Sequence, residues 1–273
     1  MAWNAARSAA TPRRTPPGGH VSEHSEPITF PGSTGAELAG VLHLPEGEAV
    51  GSVLLAHCFT CSKDLHTMTR LADGLCESGY AVLRFDFTGL GDSGGEFTDK
   101  TVSRNVVDVV QAATTLIQRG YSPCALVGHS LGGAATLLAA HRIKTVRSVV
   151  VIGAPAAPSH VRHLLGDQLD DIERDDVAEV EIAGRPFPIT REFVEDLEDH
   201  DQRGRVAELG RPLLVLHAVD DETVDIAEGE RIFAAARQPK AFVPMFETDH
   251  LLTSRASAER ALEVIDRWLD WTL

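Results

Sequence analysis

Ser130 lies in the run Gly128-His129-Ser130-Leu131-Gly132, a spacing that can turn a serine into a nucleophile. A hydroxyl reacts poorly near neutral pH unless a base sits beside it and the backbone presents it to a substrate. Gly-x-Ser-x-Gly supplies the backbone: the serine occupies a strained strand-to-helix turn, and the flanking glycines leave room where side chains would clash. The required context surrounds it. Cys124–Val127 is apolar and reads as a strand, and Leu131 onward reads as a helix whose small residues Gly132, Gly133, Ala134 and Ala135 allow close approach to a sheet. The first turn of that helix would also offer N–H groups and the positive end of its dipole to a developing negative charge. A glycine-rich turn without chemistry would look the same locally, so the reading depends on partners further along the chain.

Two later segments supply them. After the apolar run Leu213–Leu216 comes His217-Ala218-Val219-Asp220-Asp221-Glu222-Thr223-Val224, and after Ala241–Phe246 comes Glu247-Thr248-Asp249-His250. A serine followed by an acid and then a histidine, each in a loop at a strand end, is the chain order of one triad arrangement. His250 is then the general base, and the acid holds its imidazole in the useful tautomer and stabilises its charged form. Asp220, Asp221 and Asp225 compete for the acid role. Asp221 is preferred because it lies in the turn after the strand-ending His217.

A tetrahedral intermediate also needs two donors aimed at its oxyanion. The N–H of Leu131, directly after the nucleophile, is one. The loop after Val53–Ala56, His57-Cys58-Phe59-Thr60-Cys61, offers Phe59 as the other, although Cys58 stands where glycine is common. His57, Cys58 and His129 are candidates for lining the substrate pocket, and His66 and His217 for lining the site or structural roles. Cys58 and Cys61 also spell Cys-x-x-Cys beside His57 and His66. That spacing fits a thiol-redox module, or a zinc site if a fourth ligand came from elsewhere. The plainer expectation is two thiols packed around the oxyanion loop, with no metal and no cofactor. The glycines of Asp86–Gly94 imply a tight loop bordering the pocket. A phosphate loop fits less well, because no Lys-Ser/Thr follows.

These residues require a frame. Ile28–Phe30 and Glu37–Leu44 read as a hairpin; Val53–Ala56, Ala81–Phe85, Ala125–Val127 and Val146–Ile152 read as buried strands. Helical periodicity runs through Asp64–Ser78, Val102–Gln118 and Leu131–His141, then resumes at Ile226–Ala236 and about Ala256–Leu269. Alternation of this kind means βαβ units and an α/β fold, a mostly parallel central sheet flanked by helices. Between residues 156 and 211 the chain is acidic, with helical pieces and no convincing strand, and a helical lid insertion is expected there. Phe187, Phe193, Leu164 and Leu165 are its candidate lid contacts, with a core role an equal alternative.

The 273 residues suit one domain over 27–273, preceded by a disordered extension over 1–26. That extension has no apolar stretch of the kind a secretory signal needs; its arginines and lack of early acids faintly resemble an organellar transit peptide. Lys and Arg total 25 against 40 Asp and Glu, a formal charge of −15, which argues against nucleic-acid and membrane-surface partners. No apolar run is long enough to cross a bilayer. The four sparse cysteines suit a reducing cytoplasm. Oligomeric state is not legible.

Several longer motifs carry a family resemblance. His57-Cys58-Phe59-Thr60-Cys61-Ser62-Lys63-Asp64, Arg84–Gly91, Gly128–Gly133, Ile152-Gly153-Ala154-Pro155, Ala183–Phe187 and Asp221-Glu222-Thr223-Val224 resemble the hydrolase domain of α/β-hydrolases fused to an OsmC-like domain. The resemblance covers roughly residues 27–272. It implies the α/β-hydrolase fold and a bacterial-type serine esterase acting on small-molecule, short-chain acyl esters. Cys58 is the residue expected in that family. The fused relatives continue into a cysteine-based peroxidase-like domain where these residues stop at Leu273, so no peroxide-linked role is expected.

Overall fold

The computed structural model describes residues 25–182 and 184–273. The expected N-terminal extension therefore lies outside the described residues, except that Ser25 and Glu26 already belong to the first strand. Eight strands form one sheet in the order β1-β2-β4-β3-β5-β6-β9-β10. They are β1 (Ser25–Pro31), β2 (Glu37–His43), β3 (Gly51–Ala56), β4 (Tyr80–Phe85), β5 (Pro123–His129), β6 (Ser148–Ile152), β9 (Leu213–Ala218) and β10 (Lys240–Met245). β1 and β2 form the expected antiparallel hairpin, β2 pairs antiparallel with β4, and every later pairing is parallel.

The central strands β4, β5, β6 and β9 are buried at every residue. Covered on both faces, they are apolar at most positions rather than alternating. One face is covered by α1 (His66–Glu77) and α8 (Arg255–Thr272), through Met68, Leu71, Leu75, Ile265 and Trp268. The other is covered by α2 (Val102–Gln118), α3 (Leu131–Ala139) and α7 (Ile226–Ala235), through Val106, Val109, Leu116, Leu137 and Ile232. Side-chain caps start three of these helices: Thr101 accepts from Arg104 N at 3.1 Å, Asp225 from Ala227 N at 2.8 Å, and Ser254 from Ser257 N at 3.0 Å. Each cap satisfies a donor that the first turn leaves without an intrahelical partner.

The insertion between β6 and β9 holds the expected helices, α4 (Leu169–Asp175), α5 (Arg191–Glu198) and α6 (Gln202–Ala207), after a 3₁₀ stretch over Pro158–Gln168. It also holds an antiparallel pair that the sequence did not suggest, β7 (Val177–Ile182) and β8 (Arg185–Thr190). Val180, Phe187 and Ile189 share its buried face. Glu179, Glu181, Pro186 and Pro188 occupy the opposite, outward face, and prolines are tolerated in so short a ribbon because its outer edges need no ladder bonds. Among the described residues, no helix is long and apolar enough to cross a membrane.

Candidate active site

Ser130 follows β5 directly and caps α3 with φ 54° and ψ −127°, a conformation that L-residues rarely adopt. Its N–H donates to Ile152 O on β6 at 2.8 Å, and its carbonyl accepts from Gly133 N at 2.8 Å, so the turn is held from both sides. Close approach explains the glycines. A Cβ on Gly128 would lie 2.6 Å from Gly133 Cα, and one on Gly132 would lie 2.1 Å from His57 O. The second contact matters for chemistry: α3 packs its first turn directly against the peptide that opens the loop after β3. The N–H of Leu131, as the first residue of α3, has no intrahelical acceptor.

Asp221 and His250 stand on the loops after β9 and β10, and His250 Nδ1 donates to Asp221 Oδ2 at 2.8 Å. The other carboxylate oxygen accepts from Thr223 N at 2.9 Å and Val224 N at 2.8 Å. Burial alone would push the Asp221 carboxyl up, but the His250 bond and these two N–H groups hold it below the usual carboxylate range. Asp220 is exposed, and Asp225 caps α7 by accepting from Ala227 N at 2.8 Å. Of the three carboxylates, Asp221 alone meets His250.

Further contacts tie the His250 loop to the serine turn. His129, next to Ser130, donates from Nε2 to His250 O at 2.7 Å. Gly153, at the end of β6 with φ 55°, lies under the pair; a Cβ there would sit 3.2 Å from His250 Nδ1. His217 donates to Val224 O at 2.8 Å and places Nε2 3.7 Å from Asp221 Oδ2. Ser130 Oγ and the His250 ring are not hydrogen-bonded to each other in this structure. Such contacts tighten when substrate binds.

The loop after β3 is fixed by charge as well as packing. Lys63 is buried and its ammonium donates to Asp86 at 2.9 Å, Asp64 at 3.0 Å and Asp92 at 2.6 Å. Asp86, fully buried beyond β4, also accepts from Lys63 N at 2.5 Å and Asp92 N at 2.9 Å. Arg84 donates to Lys63 O at 2.8 Å and to Asp64 at 2.5 Å. Burial opposes the Lys63 charge, yet these carboxylates hold its ammonium above the ordinary lysine value. Within the loop, Phe59 is stacked on Phe193 of α5 with centroids 4.9 Å apart.

The structure corrects several expectations. Cys58 and Cys61 are not free thiols: they form a disulfide with Cα atoms 5.3 Å apart, a separation a tight turn provides at this spacing. Among the described residues no cluster of His, Cys, Asp or Glu could hold a metal. His57, Cys58 and His129 are all buried, at 1%, 5% and 0% exposure. His57 donates from Nδ1 to Cys58 O at 2.7 Å and accepts from Phe87 N at 3.3 Å. Burial, aided by the nearby Lys100 and His250 respectively, depresses His57 and His129 to about 3, so both rings are neutral scaffolds. Phe187, Phe193 and Leu165 are buried and Leu164 partly so; they pack the insertion onto the body. A cavity of about 680 Å³ lies between the start of the insertion and α7, lined by Ala156, His160, Arg203, Glu228 and Arg231. Lys63, Asp86 and Gly153 escaped the sequence reading as site-builders, although each falls inside a motif quoted for the family.

Comparison with known proteins agrees with this architecture. The model of the alpha/beta hydrolase family matches residues 53–268. The crystal structure of the esterase domain of a Rhodothermus marinus protein has a TM-score of 0.74 to this chain at 39% sequence identity, covering 90% of this chain and 97% of that one. The human protein ABHD12B is 28% identical over 174 residues, 62% of this chain, and the match spans only 45% of the human protein. Mouse mitochondrial palmitoyl-protein thioesterase ABHD10 is 26% identical over 208 residues, 71% of this chain and 67% of that protein. With the family's pattern running from β3 into α8, and a solved relative sharing sequence across nearly all of its own length, this chain belongs to the α/β hydrolase family.

Proposed function

We propose that the protein is a serine esterase that hydrolyses short-chain carboxylic esters of small molecules. Ser130 Oγ attacks the ester carbonyl carbon while His250 takes its proton, and Asp221 orients and stabilises the imidazolium. The N–H groups of Phe59 and Leu131 hold the oxyanion of the tetrahedral intermediate. Collapse expels the alcohol, which receives the proton from His250 and leaves an acyl-enzyme. Water, deprotonated by His250, then attacks the acyl carbon, and the released acid regenerates Ser130. No cofactor enters these steps. The chain's formal charge of −15 favours a small uncharged substrate over nucleic acid or an anionic membrane.

The observation that carries this reading is the 2.8 Å bond from His250 to a buried Asp221, on loops anchored to the turn that presents Ser130. The esterase domain of the Rhodothermus marinus protein, at 39% identity, adds to it. The test is turnover of a p-nitrophenyl acyl series by the wild type and by Ser130→Ala. Activity greatest on the short acyl chains and abolished in the variant is expected; undiminished turnover by Ser130→Ala would refute the reading. A thioesterase activity on the same residues is the second reading, favoured by the name of the mouse relative. An acyl-thioester panel run beside the esters separates the two.

A further inference from the structure

Lys100 is the most unusual charged side chain in the molecule. It lies between the 3₁₀ turn Phe97–Asp99 and the Thr101 cap of α2, and it is 1% exposed. Among the described residues its ammonium has no carboxylate within salt-bridge distance. It donates to one acceptor, the carbonyl of Phe59, at 2.5 Å. Around it stand three aromatic faces: its nitrogen is 4.7 Å from the Phe59 ring centroid, 5.5 Å from that of Phe97 and 5.7 Å from that of Phe87. Ring quadrupoles attract a desolvated cation at such distances. They do not replace its hydration, so the arrangement is costly and a purely structural explanation for it is poor.

The acceptor gives the arrangement a purpose. Phe59 is the residue whose N–H is proposed above to bind the oxyanion. Holding its carbonyl fixes the backbone on one side of that residue, while the packing of His57 O against Gly132 fixes the other. We propose that Lys100 is a positioning residue for the oxyanion hole: its caged ammonium clamps the Phe59 carbonyl and thereby keeps the Phe59 N–H aimed at the developing oxyanion. The inference rests on the serine-hydrolase reading and extends it to a residue outside the triad. The rings of the cage continue into the insertion, Phe59 onto Phe193 and Phe97 onto Phe187 with centroids 4.9 Å and 4.8 Å apart. The clamp therefore sits where the insertion meets the oxyanion loop.

Burial pushes the Lys100 ammonium down to about 7, opposed by the field of Asp108 on α2. The charged and titratable groups facing it are few. Asp108 has its oxygens engaged by Ser33 N, Thr88 N and Thr88 Oγ1. His57, from the loop after β3, is held neutral with its own value near 3. Asp86, from the loop after β4, is paired with Lys63, and Asp99 on the turn itself accepts from Glu96 N. From α5 and β8 the insertion presents the rings of Phe193 and Phe187. The clamp is charged below neutrality and loses its charge as pH rises through 7.

The test compares full-length wild type with Lys100→Met on p-nitrophenyl acetate. Methionine matches the stem and removes the donor and the charge. An oxyanion-hole defect appears in the transition state alone, so kcat is expected to fall about 10- to 100-fold with KM nearly unchanged. The variant should melt within a few degrees of wild type, since it also removes a buried charge. The ratio of wild-type to variant kcat should shrink as pH is raised from about 6 to about 9, because the wild type loses the charge the variant never had. Lys100→Gln, which keeps a neutral donor, should recover part of kcat without that pH-dependent ratio, and it carries the test if Lys100→Met does not fold. Wild-type kcat in either variant, a pH-independent ratio for Lys100→Met, or failure of both to fold would overturn the assignment. If the wild type itself neither turns over the ester nor reacts with a fluorophosphonate, the underlying hydrolase reading falls instead.

Discussion

Three aspartates follow β9 within seven positions, and each answers a different physical demand. Asp221 is the one with a fully buried carboxylate and three donors, one of them a histidine. Asp225 spends its oxygen on the first turn of α7, and Asp220 faces solvent. The two engaged acids should separate cleanly by mutation. Asp221→Asn keeps the shape but loses the charge that steadies the imidazolium and fixes its tautomer. A kcat lowered by about four orders of magnitude is expected, with the fold retained. Asp225→Ala should leave kcat unchanged and lower stability by about 1 kcal/mol through loss of a helix cap. Kinetics and urea unfolding of the two variants check both statements; swapped outcomes would reassign the acid. Chain order and strand ends singled out Ser130, Asp221 and His250, because a serine, an acid and a histidine in that order at successive strand ends is a narrow pattern. Nothing local marks Lys100: its neighbours Asp99 and Thr101 are polar, and the rings that bury it come from positions 59, 87 and 97.

At the scale of elements, two loops at the same end of the sheet are locked together by Asp86. Its carboxylate satisfies the Lys63 ammonium, Lys63 N and Asp92 N at once. Asp86→Ala would leave a buried ammonium short of a partner and two N–H groups orphaned. A loss of about 3 kcal/mol in unfolding free energy is expected, together with reduced kcat as the oxyanion loop relaxes. A loss under about 1 kcal/mol by urea denaturation would mean the network is replaceable, as surface pairs are. The strands that carry these loops were legible because burial on both faces leaves a short apolar run with no alternation. The β7–β8 pair was not, since one buried face of a two-stranded ribbon is a weak signal and Pro186 and Pro188 argue against a strand. The Cys58–Cys61 bond was equally hidden: the same spacing serves a disulfide, a metal or two thiols, and only the turn geometry chooses.

At the scale of the whole molecule, the buried neutral rings of His57 and His129 shape its response to acid. His57 and His129 sit at about 3 in the folded state, against an ordinary value of 6.5. Between those values the unfolded chain binds protons that the folded one refuses, so stability falls as pH drops below 6.5. Each histidine contributes a slope of roughly 1.4 kcal/mol per pH unit in that window. The urea midpoint is therefore expected to fall steeply between about pH 6.5 and about pH 5, before most carboxylates protonate; a flat midpoint there would contradict the burial of neutral rings. The proposed reaction turns on one serine, Ser130. Its activation is tested most directly by reacting the full-length protein with a fluorophosphonate and locating the adduct by peptide mass spectrometry. One adduct per chain, on the peptide bearing Ser130 and absent from His250→Ala, is the expected result. No adduct, or an adduct that persists in Ser130→Ala, would contradict the assignment of Ser130 as the nucleophile.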